Sequence, residues 1–364
     1  MKINEIVDYL ENLFPQNLQE DYDNSGLIIG DLENEVSSVL ICLDCVESVI
    51  DEAITSKCNL VISHHPLIFA GIKSINNTNY IGRSIIKAIK FNISIYAIHT
   101  NLDNAIDGVS SKIADLINLK NQKILFPKKN LLNKLDVYCP LDSMEMLRNS
   151  LYKIGAGSIG NYKNCSFYSI GQGEFVPMEG SKPYLGKNGN KQIVEEGKLE
   201  VIFPKNIINK VVKTLKKSHP YEEVSYQIYQ MENKSNSFGS GVVGVLENEI
   251  SAVDFFNFLK KKFNLEIIKH TKFLGNKVKK IAVCGGSGSF LLECAIKNNA
   301  DVFITSDFKY HQFFNAEDKI IIADIGHYES EQYTKELLYD LLLKKFPTFA
   351  IRISEINTNP INYF

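Results

Sequence analysis

Long apolar runs are missing from this sequence. No stretch of about 18 uncharged apolar residues occurs in its 364 residues. The first residues, MKINEIVDYLENLF, also lack the charged, apolar and small-residue layout of a secretory signal. The sequence therefore predicts neither a membrane span nor a signal peptide, and we expect a cytoplasmic location.

A cysteine pattern typical of disulfides and a large net charge are also lacking. Seven cysteines, an odd number at irregular spacings, argue against a disulfide framework and for reduced thiols. The 40 basic and 42 acidic residues leave a formal net charge of −2, so composition does not support binding to a nucleic-acid backbone. A hydrophobic fraction of 45% and a charged fraction of 23% are those of an ordinary folded protein.

What the chain does have is an alternation of strand-like and helix-like segments at both ends. Short β-branched runs and helical patterns of about ten residues alternate over residues 37–118 and again from residue 279 onward. This alternation predicts an α/β domain with a mostly parallel sheet, discontinuous at residues 1–126 and 237–364. Residues 127–236, rich in glycine, asparagine and tyrosine with long loops, predict an inserted α+β domain.

Histidines concentrate where the predicted strands end. His64 and His65 end the run NLVIS, His99 ends ISIYAI, and His327 follows IIIADIG. Neighbouring side chains of an extended chain point to opposite sides, so His64 and His65 could hold one metal each. Since ligands of open α/β sheets bind beyond the carboxyl ends of the strands, we expect a site there.

A metal centre is the site that these side chains suit. His327 and Glu331 are four residues apart on a predicted helix and share a face, and Asp103 follows His99 in HTNLD. Histidines mixed with carboxylates suit zinc, manganese, iron, cobalt or nickel better than calcium. Five ligands suit two divalent ions roughly 3.5 to 4 Å apart that share a carboxylate and a water. The predicted ligands are His64, His65, Asp103, His327 and Glu331.

The role of His99 remains open between two alternatives. It could bind a metal directly, or it could orient Asp103 or the bridging water from outside the metal centre. His99 and Glu331 are also the candidate catalytic residues, because either could shuttle a proton during hydrolysis.

Three further features have more than one interpretation. Asp307 and His311 have i, i+4 spacing and could support the metal ligands or bind substrate. The CGGSGS segment, residues 284–289, has the position of a phosphate-binding turn but lacks the Walker lysine, so a tight strand-to-helix turn is equally expected. In DYDNSGLIIG, Asn24 could face a cleft, although turn formation explains the segment as well.

Six motifs resemble one known family. In order, DNSGL, SHHPLIF, HTNLDNAIDGV, GGSGS, ITSDFKYH and GHYESE are similar to the GTP cyclohydrolase I type 2 homologue family, also called NGG-interacting-factor-three-like proteins. The segments GAGSIGNYKNCSF, EGSKPYLG and SHPYEEVSYQIY resemble the insert of the longer bacterial form, which is similar to PII and CutA proteins. The resemblance covers essentially the whole chain. Tyr22 and Ser306 depart from it, standing where tryptophan and glycine are usual.

The resemblance implies both an activity and an assembly. It implies a metal-dependent hydrolase with GTP cyclohydrolase-type activity, in which two divalent cations activate a bridging water, and a toroidal homohexamer. Hydrolysis of a phosphoester or amide in a nucleotide-like compound is another enzymatic interpretation. The alternative is a non-catalytic metal-binding regulatory or scaffold protein that senses a ligand or partner through its PII-like insert. The ligand set implied by the resemblance is His64, His65, Asp103, His327 and Glu331.

Overall fold

The computed structural model describes residues 1–275 and 277–364, which fold into two units. The first, here called the α/β unit, comprises Met1–Pro127 and Asn236–Phe364. The second, here called the inserted unit, comprises Lys128–Ser235.

The N-terminal part of the α/β unit alternates helices with short strands. Its first helix buries apolar residues three and four positions apart, the spacing that places them on one face: Ile3, Ile6, Val7 and Leu10. The elements are α1 (Ile3–Leu13), β1 (Gly26–Ile29), β2 (Val39–Asp44), α2 (Glu47–Thr55), β3 (Leu60–His65), α3 (Tyr80–Lys90), β4 (Ser94–Ala97), α4 (Thr100–Asp103), α5 (Val109–Leu116) and β5 (Lys120–Pro127).

The inserted unit is an antiparallel sheet with two helices against one face. Its elements are β6 (Leu132–Pro140), α6 (Met144–Lys153), β7 (Ser166–Phe175), β8 (Gln192–Pro204), α7 (Ile208–Ser218) and β9 (Tyr226–Met231). The strand order is β7-β8-β6-β9, and every neighbouring pair is antiparallel. The expectation of long loops is wrong for the glycine-rich segment that forms β7, because all ten of its residues pair with β8.

The C-terminal part of the α/β unit returns to the alternating pattern. Its elements are β10 (Gly239–Ser251), α8 (Ala252–Phe263), β11 (Lys269–His270), β12 (Lys277–Ser287), α9 (Leu292–Lys297), β13 (Val302–Ser306), β14 (Ile321–Asp324), α10 (His327–Glu331), α11 (Thr334–Lys345) and β15 (Ile351–Ile353). Helices α8 and α11 have 12 residues each. In the residues that the structure describes, no helix is long and apolar enough to cross a bilayer.

The α/β class is confirmed, but the expected single sheet of this unit is in fact two mixed sheets. One has the order β1-β4-β3-β2-β15, in which β1 is antiparallel to β4 and the other pairs are parallel. The other has the order β11-β14-β13-β12-β10-β5, in which β12, β13 and β14 are parallel. Apolar side chains from both sheets share one core, including Ile62 and Tyr96 from the first and Val283 and Ile304 from the second.

Candidate metal centre

The predicted ligands come from the carboxyl ends of strands in both sheets. His64 and His65 are the last two residues of β3, and Asp103 ends α4, the short helix after β4. His327 and Glu331 are the first and last residues of α10, which follows β14 of the other sheet. Two sheets with a common core therefore supply one cluster of side chains.

The potential ligand atoms of these residues lie close enough together to hold a metal ion. Three sets of three side chains each place one potential ligand atom within 4.8 Å of the other two. Glu331 belongs to two of the sets. The sets are His65, His327 and Glu331; His64, Asp103 and Glu331; and His64, His65 and His99.

The Glu331 carboxylate lies between the imidazoles. Its Oε2 is 2.9 Å from Nε2 of His65 and 3.0 Å from Nε2 of His327. Its Oε1 is 3.9 Å from Nε2 of His64. The two oxygens thus face different groups of potential metal ligands.

Two buried atoms of the cluster have no hydrogen-bond partner in the described part of the chain. They are His64 Nε2 and Asp103 Oδ1, which lie 3.6 Å apart. His64 is completely buried, and buried polar atoms in native proteins are nearly always paired. A metal ion bound by both atoms would satisfy them, so these residues fit a metal centre.

The Nδ1 atoms of the four histidines are held from outside the cluster. Each donates its hydrogen to an oxygen, which leaves the Nε2 lone pair for a metal. Three of the acceptors are carboxylates, which also make the imidazole a stronger ligand. The pairs are His65 with Asp44 at 2.7 Å, His99 with Asp23 at 2.7 Å, His327 with Asp307 at 2.6 Å, and His64 with the Ile98 carbonyl at 2.9 Å.

Two of these supporting carboxylates, Asp44 and Asp23, were not predicted from the sequence. Asp44 is the last residue of β2, so the strand-end criterion that selected the histidines applies to it as well. Asp23 lies in the DYDNSG segment, where attention fell on Asn24. Asp23 Oδ2 accepts a hydrogen bond from the Thr100 backbone nitrogen at 3.0 Å, whereas Asn24 donates to the Ile68 carbonyl at 2.6 Å.

Asp307 and His311 do not act as a pair. Asp307 contacts His327, but His311 is exposed and its ring lies near those of Tyr310 and Phe314. Residues with i, i+4 spacing share a face when they lie on an α-helix. Instead, Asp307 has a left-handed φ of 59°, and a 3₁₀ helix begins only at Tyr310, so the two residues do not share a helical face.

The CGGSGS turn gives the metal centre room. Gly286 has a φ of 61°, and its backbone nitrogen donates to Ser330 Oγ at 3.0 Å. A side chain at Gly286 would overlap Oε1 of Glu331. The turn therefore allows the backbone of β12 to approach the central carboxylate closely.

Interactions within the cluster shift its pKa values when no metal is bound. Burial opposes protonation of His65 and His327, but the nearby carboxylates outweigh it and raise the pKa of His65 to about 10 and that of His327 to about 11. Burial and the Glu331 charge raise the pKa of Asp103 to about 7. A metal ion bound at neutral pH would therefore replace protons on these histidines.

A cavity of about 590 Å³ opens over the cluster. Aromatic side chains line it, and the Phe69 ring lies 6.0 Å from that of His99 and 6.2 Å from that of Tyr22. Phe290 and Tyr328 also line the cavity, while its described lining contains no lysine or arginine. These walls suit a flat aromatic group better than a chain of phosphates.

Comparison with known proteins identifies the family. The model of the Duf34/NIF3 (NGG1p interacting factor 3) family matches residues 1–360. A Bacillus subtilis (strain 168) protein named GTP cyclohydrolase 1 type 2 homolog is 38% identical over 368 residues, covering 99% of this chain and 98% of its own. The crystal structure of a Bacillus cereus protein related to NIF3 has a TM-score of 0.84 at 36% identity, covering 100% of this chain and 99% of the other. The chain belongs to the Duf34/NIF3 family.

Proposed function

We propose that this protein is a metal-dependent hydrolase with two divalent cations at the centre. The main support for this proposal is the position of Glu331. One oxygen of its carboxylate faces His65 and His327, and the other faces His64. His64, Asp103 and Glu331 form the second donor set. Each set suits a cation such as zinc, manganese, iron, cobalt or nickel. Two such cations would supply Lewis acidity and lower the pKa of a shared water from about 15.7 toward 7.

The protein itself would orient the ligands and move protons. Asp44 and Asp307 fix the rings of His65 and His327 through their Nδ1 atoms. His99 is held in the same way, and its ring lies 5.3 Å from those of His64 and His65. With Nδ1 occupied, His99 can accept and return a proton at Nε2, a role for which Glu331 is the other candidate.

GTP is the first substrate to test. The B. subtilis relative carries the name of a GTP cyclohydrolase homologue, and hydrolysis of that type opens the imidazole ring of guanine and releases formate. The aromatic walls beside His99 offer a stacking surface for a purine. Because the described lining has no lysine or arginine, the base is expected to contribute more to recognition than the phosphates do.

The test is formate release from GTP and from guanosine by the metal-loaded protein. We expect release from both, and loss of at least about 100-fold in the Asp103→Ala variant because a metal ligand is removed. Asp107→Ala is the matched control, since Asp107 is exposed and lies four residues further on. Phosphate release without formate would contradict ring opening, and no hydrolysis of either compound would contradict GTP cyclohydrolase activity.

A second candidate function is a metal-binding regulatory protein. The observation that favours it is the inserted unit, which has its own core and its own cavity. This hypothesis expects the intact chain to bind metal and a small ligand without hydrolysing any member of a panel of nucleotides, phosphoesters and amides. Turnover that is lost in Asp103→Ala and retained in Asp107→Ala would contradict it.

We also propose the toroidal homohexamer that the family resemblance implies. Light scattering after size-exclusion chromatography is the direct test, with a mass six times that of the 41.1 kDa chain expected. A stable mass of one or two chains at micromolar concentration would contradict the hexamer.

A further inference from the structure

The inserted unit contains a cavity of about 770 Å³. It lies against residues 169–178, which include the second half of β7, and against Tyr138 of β6 and Glu196 of β8. Its volume is within the range of roughly 300–1,000 Å³ that is typical of small-molecule sites. The cavity is formed entirely by residues of the inserted unit and contains none of the predicted metal ligands.

Four aromatic residues line the cavity, namely Tyr138, Phe175, Tyr184 and Tyr221. The ring of Tyr221 lies 6.0 Å from that of Phe175 and 6.1 Å from that of Tyr184. The backbone of Tyr221 is fixed, because its nitrogen donates to His219 Nδ1 at 3.1 Å while His219 Nε2 donates to the Tyr138 carbonyl at 2.8 Å. Aromatic rings held in place offer their faces to flat or cationic groups.

Glu196 brings a buried carboxylate to this cavity. The residue is only 8% exposed, and its Oε1 accepts a hydrogen bond from the Tyr221 hydroxyl at 2.7 Å. Across the described ranges it forms no ion pair. A side chain at Gly173 would overlap Glu196 Oε2, so the glycine leaves space beside that oxygen. The Oε2 atom has no hydrogen-bond partner among the described residues and is therefore free to accept a hydrogen bond from a cationic ligand in the cavity.

The remaining charges of the cavity also favour a cation. Lys198 is the one lysine or arginine in its described lining, and the Lys198 ammonium already lies 2.8 Å from Asp136 and 2.6 Å from Glu200. The lining contains four glutamates, Glu174, Glu196, Glu222 and Glu223, of which Glu174 forms an ion pair with Lys191. An anionic ligand such as a nucleotide would be repelled by this set of carboxylates.

We propose that the cavity of the inserted unit binds a small organic cation. Its ammonium group donates to Oε2 of Glu196, and its apolar or aromatic body packs against Tyr221, Tyr184 and Phe175. The carboxylate favours a positively charged ligand, and the aromatic rings favour a ligand with an apolar or aromatic group. This proposal does not depend on the function of the metal centre.

Isothermal titration calorimetry of the full chain with phenethylamine tests the charge requirement. We expect saturable binding of one amine per chain. The neutral isostere 2-phenylethanol is expected to bind at least ten times more weakly, and the anion 3-phenylpropanoate is expected not to bind. Equal affinity for the amine and the alcohol, or no saturable binding of the amine, would overturn the proposal.

Two adjacent glutamates provide matched variants. Glu196→Gln keeps the size of the side chain and an acceptor for Tyr221 but removes the charge, so phenethylamine affinity should fall at least tenfold. Glu195→Gln should leave the affinity unchanged, because Glu195 is exposed and is not among the described residues lining the cavity. Unchanged affinity in E196Q, or an equal loss in both variants, would overturn the proposal. If circular dichroism shows that E196Q does not fold, the comparison of amine with alcohol on the wild-type chain decides.

Discussion

The cavity of the metal centre and the cavity of the inserted unit both contain a buried carboxylate and aromatic side chains, yet they suit different ligands. Glu331 lies among imidazole Nε2 atoms, whereas Glu196 receives a single hydrogen bond from a phenol and has aromatic rings as neighbours. Carboxylates with imidazoles suit divalent metal ions, and carboxylates with aromatic rings suit organic cations. The neighbours of a buried carboxylate therefore decide which class of cation it binds.

The two cavities also differ in what holds their side chains in place. Around the metal centre, Asp44, Asp23 and Asp307 accept hydrogen bonds from imidazole Nδ1 atoms. In the inserted unit, His219 accepts a hydrogen bond from the Tyr221 backbone nitrogen and donates one to the Tyr138 carbonyl. The carboxylates strengthen the imidazoles as metal ligands, whereas the bonds of His219 fix the position of the Tyr221 backbone.

The largest expected effect on metal binding comes from the Glu331→Gln substitution. Two of the three donor sets share this carboxylate, so its loss should weaken metal binding by more than about 100-fold, beyond the loss usual for a supporting residue. Elemental analysis after dialysis should show close to two ions per wild-type chain and less than one per variant chain. Exposed Glu293 provides the control variant E293Q. Retention of both ions by E331Q would mean that the carboxylate does not bridge them.

A smaller loss of metal affinity is expected for the Asp44→Asn substitution. The amide oxygen can still accept the His65 Nδ1 hydrogen, but the negative charge that strengthens the imidazole is gone. We expect metal affinity to fall by about 10- to 100-fold, as measured by competition with a chromogenic chelator. Asp31→Asn, at an exposed position, serves as the control. An affinity equal to that of the wild type would contradict the orienting role of Asp44.

Removal of the metal should have little effect on the other cavity. No described residue that lines the cavity of the inserted unit belongs to the metal cluster. Phenethylamine affinity measured by calorimetry before and after treatment with a chelator should therefore agree within about twofold. A tenfold difference would correspond to a coupling free energy of about 1.4 kcal/mol and would show that the two sites are linked.

The smallest expected effect is the pH dependence caused by His219. Burial lowers its pKa, outweighing the hydrogen bond to the Tyr138 carbonyl and the Glu196 charge. Because the folded-state pKa is the lower one, the stabilisation is present above the unfolded pKa of about 6.5 and is lost as pH falls through the folded-state pKa. Urea denaturation at pH 7.5 and at pH 5 should show a slightly smaller pH dependence for His219→Gln than for the wild type. An identical pH dependence in the two proteins would contradict this role.

The sequence was informative for site residues that lie at or just after the ends of strands. His64 and His65 close an apolar run, and the i, i+4 spacing of His327 and Glu331 places both on α10, so sequence position alone indicates residues that the structure brings together. Asp44 ends β2 and has the same strand-end signal, whereas Asp23 lies outside the strands and contacts His99, 76 positions away, so no strand-end pattern indicates it. Such contacts depend on which strands and loops become neighbours.

The prediction of the fold was likewise limited, because a sequence pattern does not determine which strands pair. The alternating segments at residues 37–118 and from residue 279 onward do not show that β10, which follows the inserted unit in the chain, pairs with β5 and β12 in a second sheet. The same applies to Glu196, which lies in the polar sequence VEEGK and is buried only in the folded unit. Composition cannot reveal a carboxylate that becomes buried through tertiary structure.

Two ions that share Glu331 would be seen directly by anomalous diffraction from crystals of the metal-loaded protein, recorded at the absorption edge of the bound metal. We predict two anomalous peaks roughly 3.5 to 4 Å apart, one beside His65 and His327 and the other beside His64 and Asp103. A single peak at these residues, or none in crystals grown with zinc, manganese or iron, would contradict the two-metal centre.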